Sequence, residues 1–277
     1  MKIIKQSLRG LVILVLTGGI GFIGLGNVSA AEFFYNGDAG PAFWWELDPE
    51  WSACAGTAED ARQSPIDIDR VKIDRSLKPL DLQTFATTID IFNNGHTIEQ
   101  TYEGTGSSIY FDGRVYELQQ LHFHTFSEHT VDDQRAMMEM HAVFNEAVSG
   151  DNLVIGQLFK IGKKQNRFIQ TLIDAGLPEK NGDTTQADDF IDLADGLTDT
   201  SSYYTYGGSL TTPACTENVT WVVLKKQSRL THEQWNSFRR ILGNNFRPLQ
   251  NLNDRTIRAT ADKGGKHKHK ERHDHDD

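Results

Sequence analysis

Tyr116-Glu-Leu-Gln-Gln-Leu-His-Phe-His-Thr-Phe-Ser-Glu-His-Thr-Val131, followed after a polar turn by Met137-Met-Glu-Met-His-Ala-Val-Phe-Asn145, is the stretch on which the reading of this 277-residue chain turns. From Leu118 to Phe126 apolar, aromatic and β-branched residues recur with no Pro or Gly between them, which predicts a strand. On a strand, residues i and i+2 share a face. His122 and His124 therefore project together with Gln120 beside them, while Leu121 and Phe123 project the other way into apolar packing. Residues 137–144 predict a second strand, on which Glu139 and His141 share a face. The link, residues 127–135, is polar and short enough to make the two strands antiparallel neighbours. Three imidazoles, those of His122, His124 and His141, then converge from two strands.

Three histidines without a fourth protein ligand form the pattern of a catalytic zinc site, whose open fourth position takes water. A His-x-His pair alone is more often two polar residues on a solvated strand face. The third histidine, with Gln120, Glu128 and Glu139 in the same stretch, favours the metal.

At these residues the chain resembles a known family, the α-class carbonic anhydrases, in its bacterial, exported form. The resemblance is carried by Gln-Leu-His-Phe-His (120–124), Ser-Glu-His-Thr-Val (127–131) and Glu-Met-His-Ala-Val (139–143). It extends to Gln-Ser-Pro-Ile-Asp-Ile (63–68), Asn-Gly-His (94–96), Ser-Leu-Thr-Thr-Pro (209–213) and Asn-Phe-Arg-Pro-Leu-Gln (245–250), and covers nearly all of residues 42–258. It implies a zinc enzyme that reversibly hydrates carbon dioxide to bicarbonate and a proton through attack by zinc-bound hydroxide. One Zn2+ per chain, catalytic, is implied on His122, His124 and His141. That zinc lowers the pKa of its water to about 7 is established for this family and owes nothing to the present chain.

The resemblance also implies the supporting cast. His96 is the expected proton shuttle, a task suited to an unperturbed imidazole pKa of about 6.5, and Asn94 is expected to line the same water-filled cavity. Thr211 is expected to orient the hydroxide while donating its proton to Glu128, and Thr212 to touch bicarbonate. Gln120 and Glu139 are expected to bond the outer nitrogens of His122 and His141, and the backbone carbonyl of Asn245 that of His124. Such partners fix the tautomer, and losing one costs roughly 10–100-fold in metal affinity or activity. Val143, Val154 and Leu210 are expected to wall an apolar pocket for carbon dioxide, a reading equally compatible with ordinary core. His129 is expected to be buried and structural. By the residues alone, His96 is a surface histidine after a turn, and Glu128-His129 is either an acid–base pair or a salt-bridged turn.

Cys54 and Cys215 are the chain's two cysteines. An even pair in an exported protein suggests a disulfide, with two unrelated buried thiols as the alternative. The resemblance implies the bridge, because bacterial members pair cysteines just before Gln-Ser-Pro and just after Leu-Thr-Thr-Pro.

Export itself is read from residues 1–30. Lys2, Lys5 and Arg9 precede an uncharged stretch, residues 11–25, and Val28-Ser29-Ala30 supplies small residues before Ala31. This is the pattern of a secretory signal peptide; an uncleaved anchor is the alternative, and the small residues favour cleavage. No other stretch is long and apolar enough to span a membrane. The expected protein is periplasmic or extracellular, with no stable membrane insertion after cleavage. Loss of residues 1–30 takes the formal net charge from −10 to −13, which argues against a nucleic-acid partner. The remaining length suits one catalytic domain, residues 31–262, as a monomer or dimer. Residues 263–277 hold four histidines, four acidic and five basic residues and nothing apolar, the composition of a disordered tail. His267-x-His269 and His273-x-His275 can bind extra metal weakly, or the tail is simply charged.

The remaining patterns predict a mostly β (α+β) fold: a single domain on a large, mainly antiparallel central sheet with a few peripheral helices. Residues 153–160 and 220–223 read as strands, and Ile66 and Ile68 alternate with Asp67 and Asp69 after Pro65. Residues 168–176 and 230–242 read as helices, the second capped by Thr231 with Gln234 and stopped by Gly243. Residues 188–199 read as an acidic loop with a helical turn, and Gly207-Gly208 as loop punctuation. Residues 31–60 form an irregular aromatic arm. There Pro49-Glu50-Trp51 resembles the family's Pro-Glu-His-Trp with one residue missing. The family's arm tyrosine is not evident, Leu47 standing in its place, although Tyr35 can reach in.

Overall fold

Burial patterns separate central from edge strands in the computed structural model, which describes residues 31–261. The expectations for residues 1–30 and for the tail lie outside the described residues. The principal strands are β1 (Thr87–Asn93), β2 (Ile98–Thr101), β3 (Arg114–His124), β4 (Met138–Asn145), β5 (Asn152–Ile161), β6 (Thr184–Ile191), β7 (Tyr203–Ser209) and β8 (Glu217–Leu224). They lie in the order β6-β1-β2-β3-β4-β5-β8-β7, and the sheet continues through Arg258–Ala259 to Lys72–Ile73. Most neighbours are antiparallel, whereas β5 and β8 run parallel. The central strands β4 and β5 are buried along nearly their whole length, as expected for strands covered on both faces. The edge strand β6 is mostly exposed.

The two faces of the sheet carry different chemistry. One face buries Leu118, Leu121, Phe123, Met138, Met140 and Phe144 in a large apolar cluster. That cluster also takes Phe168, Ile169 and Leu172 of α1 (Arg167–Ala175) and Phe238 of α2 (His232–Leu242). α1 starts where Asn166 accepts from the N–H of Ile169, and α2 starts at a full capping box between Thr231 and Gln234. The opposite face packs Ile66, Ile68, Val154, Leu158, Trp221 and Val223. A single domain therefore forms around one sheet, and the second face is the one that holds the histidines.

Four expectations are corrected in detail. The first histidine strand runs from Arg114 to His124 and stops before Phe126, because the Thr125 N–H turns to Asn245 Oδ1 instead of to a strand partner. Leu230 belongs to a short strand, Ser228–Leu230, rather than to α2. Residues 188–191 are strand, not loop: β6 pairs antiparallel with β1, and its aspartates lie on an exposed sheet edge, where charge discourages edge-to-edge association. Only the turn at Leu193–Gly196, capped by Asp192, matches the helical turn. Gly207 and Gly208 are also strand, within β7. A Cβ on Gly208 overlaps Ser64 Oγ and comes within 2.8 Å of Trp221 Cδ1 and 2.9 Å of Tyr206 Cε2. The glycine is there for close packing, and Gly208→Ala is expected to destabilise the protein by about 1–3 kcal/mol, readable as a lowered denaturant midpoint at unchanged slope.

Candidate metal centre

Strand register brings the imidazoles together. In the β3–β4 pairing His122 is directly opposite His141, and His124 opposite Glu139. With the period-2 pleat, all of these side chains lie on one face. The ring centroids of the three histidines are 4.6–5.1 Å apart. One nitrogen from each lies within 4.8 Å of the others, a cluster that can hold a metal ion.

Each ring is fixed from behind. His122 Nδ1 lies 2.8 Å from Gln120 Oε1, and His124 Nδ1 lies 2.6 Å from the Asn245 carbonyl. Both partners are acceptors, so both Nδ1 atoms carry the proton and both Nε2 lone pairs are left toward the cluster. His124 Nε2 is buried with no hydrogen-bond partner. His141 Nε2 lies 3.0 Å from Glu139 Oε1, within ion-pair distance although off hydrogen-bond geometry, which leaves its Nδ1 toward the cluster. Burial holds all three imidazoles below their ordinary pKa, His124 at about 4, and mutual repulsion deepens the effect at His122. Three neutral imidazoles, with the buried Nε2 of His124 left unpartnered, are a donor set that zinc takes.

The carboxylates behind them are as deeply placed. Glu139 is fully buried and accepts from the backbone N–H groups of Glu128 and His129 at 2.8 and 2.9 Å, and its other oxygen lies 2.8 Å from His129 Nδ1. Burial pushes its pKa up, but its electrostatic interactions and hydrogen bonds with His129 and His141 bring it well below the usual carboxylate range. Gly156 makes room for it, since a Cβ there would stand 2.9 Å from Glu139 Oε1. Glu128 accepts from the Arg247 N–H at 2.7 Å through Oε1, while Oε2 has no partner of good geometry and lies 3.6 Å from His124 Nε2. Burial pushes Glu128 up to about 7, against the opposing pull of His141, the Arg247 N–H and the Thr211 hydroxyl. His129, also fully buried, completes a line through its Nε2 to Tyr206 Oη at 2.7 Å and on to Ser64 Oγ at 2.9 Å. His129, Glu139 and His141 also form a compact group, but their facing atoms are committed to one another and to Tyr206.

A cavity of about 210 Å3 opens beside the cluster. His96, Asn94, Gln120 and Thr212 line it together with Phe33 and Tyr35 of the arm. Asn94 is tied into its own turn, its Oδ1 accepting from the His96 and Thr97 N–H groups. His96 is half-buried; burial lowers its pKa and the Glu32 carboxylate partly restores it. Tyr35 supplies the arm phenol that Leu47 does not, and burial followed by the Glu128 charge raises its pKa well above the ordinary value. Val143 and Leu210 pack against the apolar cluster of this face, of which Val154 is a member. Cys54 and Cys215 are joined in a disulfide. A larger cleft, about 660 Å3 near the start of α1, is lined by charges of both signs and has no converging ligand set.

Two participants were not singled out by the sequence, although the first lies within the matching segment 245–250. Arg247 is almost fully buried and donates to Gln63 Oε1 and to the carbonyls of Ser64 and Cys54. Phe33 covers His96. An arginine between Phe and Pro, or a phenylalanine in an arm, reveals its place only when the chain is folded.

A β-sheet protein with a histidine-built centre, seated on strands and capable of holding a metal, is the class that the fold and site define. The chain belongs to the eukaryotic-type carbonic anhydrase family, whose family model matches residues 46–261, and it is an enzyme of that family. It is 35% identical to the carbonic anhydrase of Klebsiella pneumoniae, over 83% of this chain and 92% of that protein. It is also 35% identical to the carbonic anhydrase of Nostoc sp., over 80% of this chain and 84% of that protein. Among solved structures, the α-carbonic anhydrase of Thermovibrio ammonificans in complex with the inhibitor sulfanilamide matches with a TM-score of 0.77 and 35% identity, over 83% of this chain and all of that one.

Proposed function

We propose that this enzyme hydrates carbon dioxide reversibly to bicarbonate and a proton at one zinc ion held by His122, His124 and His141, with His96 carrying the proton out. The observation that carries the reading is the clustering of three imidazoles, each held from behind and with one nitrogen from each within 4.8 Å of the others, beside a cavity that His122 and His124 help to line. Zinc, when bound, supplies a Lewis acid and acidifies water in its open position, so that a nucleophile is available near neutral pH.

The chain's own residues do the rest. Gln120, the Asn245 carbonyl and Glu139 keep the three rings turned so that lone pairs, not protons, face the metal position. We assign Thr211, which is buried, the donation of its hydroxyl proton to Glu128, which leaves its oxygen to accept from the attacking group and orient it. Val143, Val154 and Leu210 offer carbon dioxide an apolar wall without competing hydrogen bonds. Thr212, at the cavity wall, is suited to contact bicarbonate. His96 exchanges protons between the cavity and bulk buffer. The disulfide is consistent with an exported enzyme, and we assign residues 1–30 to its signal peptide and the mature enzyme to the periplasm or the exterior.

Stopped-flow hydration tests the assignment of His96. His96→Ala is expected to lower kcat in dilute buffer by at least roughly tenfold, toward the ~10²-fold lower edge of general acid–base contributions. kcat/KM should be nearly unchanged and added imidazole should restore kcat. In the unsubstituted enzyme, the part of the kcat profile governed by His96 is expected to have its midpoint below the ordinary imidazole value, because burial disfavours the charged ring. A His96→Ala enzyme with undiminished kcat in dilute buffer contradicts the shuttle.

A further inference from the structure

His96 is gripped on two sides. Phe33 lies flat against its imidazole, with ring centroids 3.8 Å apart and planes at 8°. Phe33 is in turn met edge-on by Trp44, Trp51 and Tyr35, at 5.2, 6.0 and 6.1 Å, the arrangement that aromatic quadrupoles favour. Trp44 is fully buried and its indole N–H reaches the carbonyls of Phe34 and Ala39 at 2.9 and 3.1 Å. On the backbone side, Asn94 Oδ1 accepts from the His96 N–H and Asn245 Nδ2 donates to the His96 carbonyl.

The aromatic platform is anchored to the site loop by a covalent bond. Trp44 clusters with Cys54 and Cys215, and Phe33, Tyr35 and Trp51 pack against that cluster. Cys215 follows Thr211 and Thr212 in the loop over the cavity, and the bond spans 161 residues of chain. Arg247 adds a second tie, donating to the Cys54 carbonyl while its guanidinium lies 5.9 Å from the Trp44 ring. The ring thus held has Nδ1 buried with no partner among the protein's groups, while the residue keeps part of its surface in solvent. A proton carrier with one nitrogen inside and a face toward solvent depends on that orientation.

We propose that Phe33 is a positioning residue for His96, and that the Cys54–Cys215 bond, by fixing the arm that bears Phe33, sets the orientation from which the imidazole passes protons. The proposal rests on His96 being the shuttle. It makes proton transfer, rather than conversion of carbon dioxide, the step that senses the arm and its disulfide.

The test is stopped-flow hydration in dilute buffer by Phe33→Ala, Phe33→Trp, His96→Ala and the Phe33→Ala/His96→Ala double variant. Phe33→Ala is expected to lower kcat about three- to tenfold, less than loss of the imidazole itself, with kcat/KM within about twofold of the unsubstituted enzyme. Phe33→Trp, which restores a flat ring, is expected to recover kcat, as is added imidazole. The double variant should match His96→Ala alone, because Phe33 acts only through that ring. Reducing the disulfide should reproduce the Phe33→Ala loss in the unsubstituted enzyme and add little to the Phe33→Ala variant. A Phe33→Ala loss that persists in the His96→Ala background, or that falls on kcat/KM, marks the arm as merely structural and overturns the proposal. An unchanged kcat in Phe33→Ala beside a strong His96→Ala effect overturns it while leaving the shuttle intact. If His96→Ala is itself silent, both readings fall.

Discussion

His141→Ala is expected to yield a folded protein that no longer retains zinc and has lost hydration activity by at least about 10³-fold. The ring sits 1% exposed between two others, 5.1 Å from His122 and 4.6 Å from His124 by ring centroid. Removing one of the three proposed ligands leaves two, too few for the three-histidine catalytic arrangement of zinc. Without the metal, the Lewis acid and the source of nucleophile disappear together. The hole left beside Trp221, whose ring lies 4.8 Å from that of His141, lowers stability as well. His141→Gln, which keeps more of the volume, separates that effect from loss of the ligand. Metal analysis and hydration on the same preparation read both outcomes. Full zinc retention by His141→Ala rules out the proposed ligand set.

Glu139→Ala is expected to have the second largest effect, on stability as well as on the metal. Its two oxygens satisfy the N–H groups of Glu128 and His129 and the ring of His129, and face His141 Nε2, all within a fully buried pocket. Truncation leaves several buried donors without a partner, and losing one member of such a buried charged network costs roughly 3–5 kcal/mol. It also frees the His141 ring to turn, for which a metal-affinity loss of roughly 10–100-fold is expected. Glu139→Gln retains the shape but replaces one acceptor oxygen with a donor, and is expected to fall between the parent and the alanine variant. Denaturant unfolding followed by competition with a chelator separates the two consequences. An alanine variant with unchanged stability and unchanged zinc affinity contradicts the role given to this carboxylate.

The positions of the central residues were legible because they follow from local rules. A period of two places His122 and His124 on one face opposite Leu121 and Phe123, and a short polar link lets Glu139 and His141 pair back across it. The structure has this register. Asn94-Gly95 marked a turn and Thr231 with Gln234 marked a helix start for the same reason: each signal lies within a few residues of what it controls. The misreadings concern residues whose environment is assembled from far along the chain. Gly208 looks like a loop glycine until Ser64 and Trp221 are brought against it. Asp188 and Asp189 look like loop until β1 pairs with Ala187 and Phe190 on either side and holds them in a β-bulge. Arg247 and Phe33 gain their contacts from segments roughly 190 and 60 residues away, and neither has a local signature that distinguishes it from a surface residue.

The measurement closest to the central claim is carbon dioxide hydration by the mature protein after its metal is stripped by a chelator and zinc is then returned in measured steps. The stripped, still folded protein is expected to be inactive, and activity is expected to rise in proportion to zinc and level off at one ion per chain. Full activity in the stripped protein, or none in a folded protein carrying one zinc per chain, contradicts that claim.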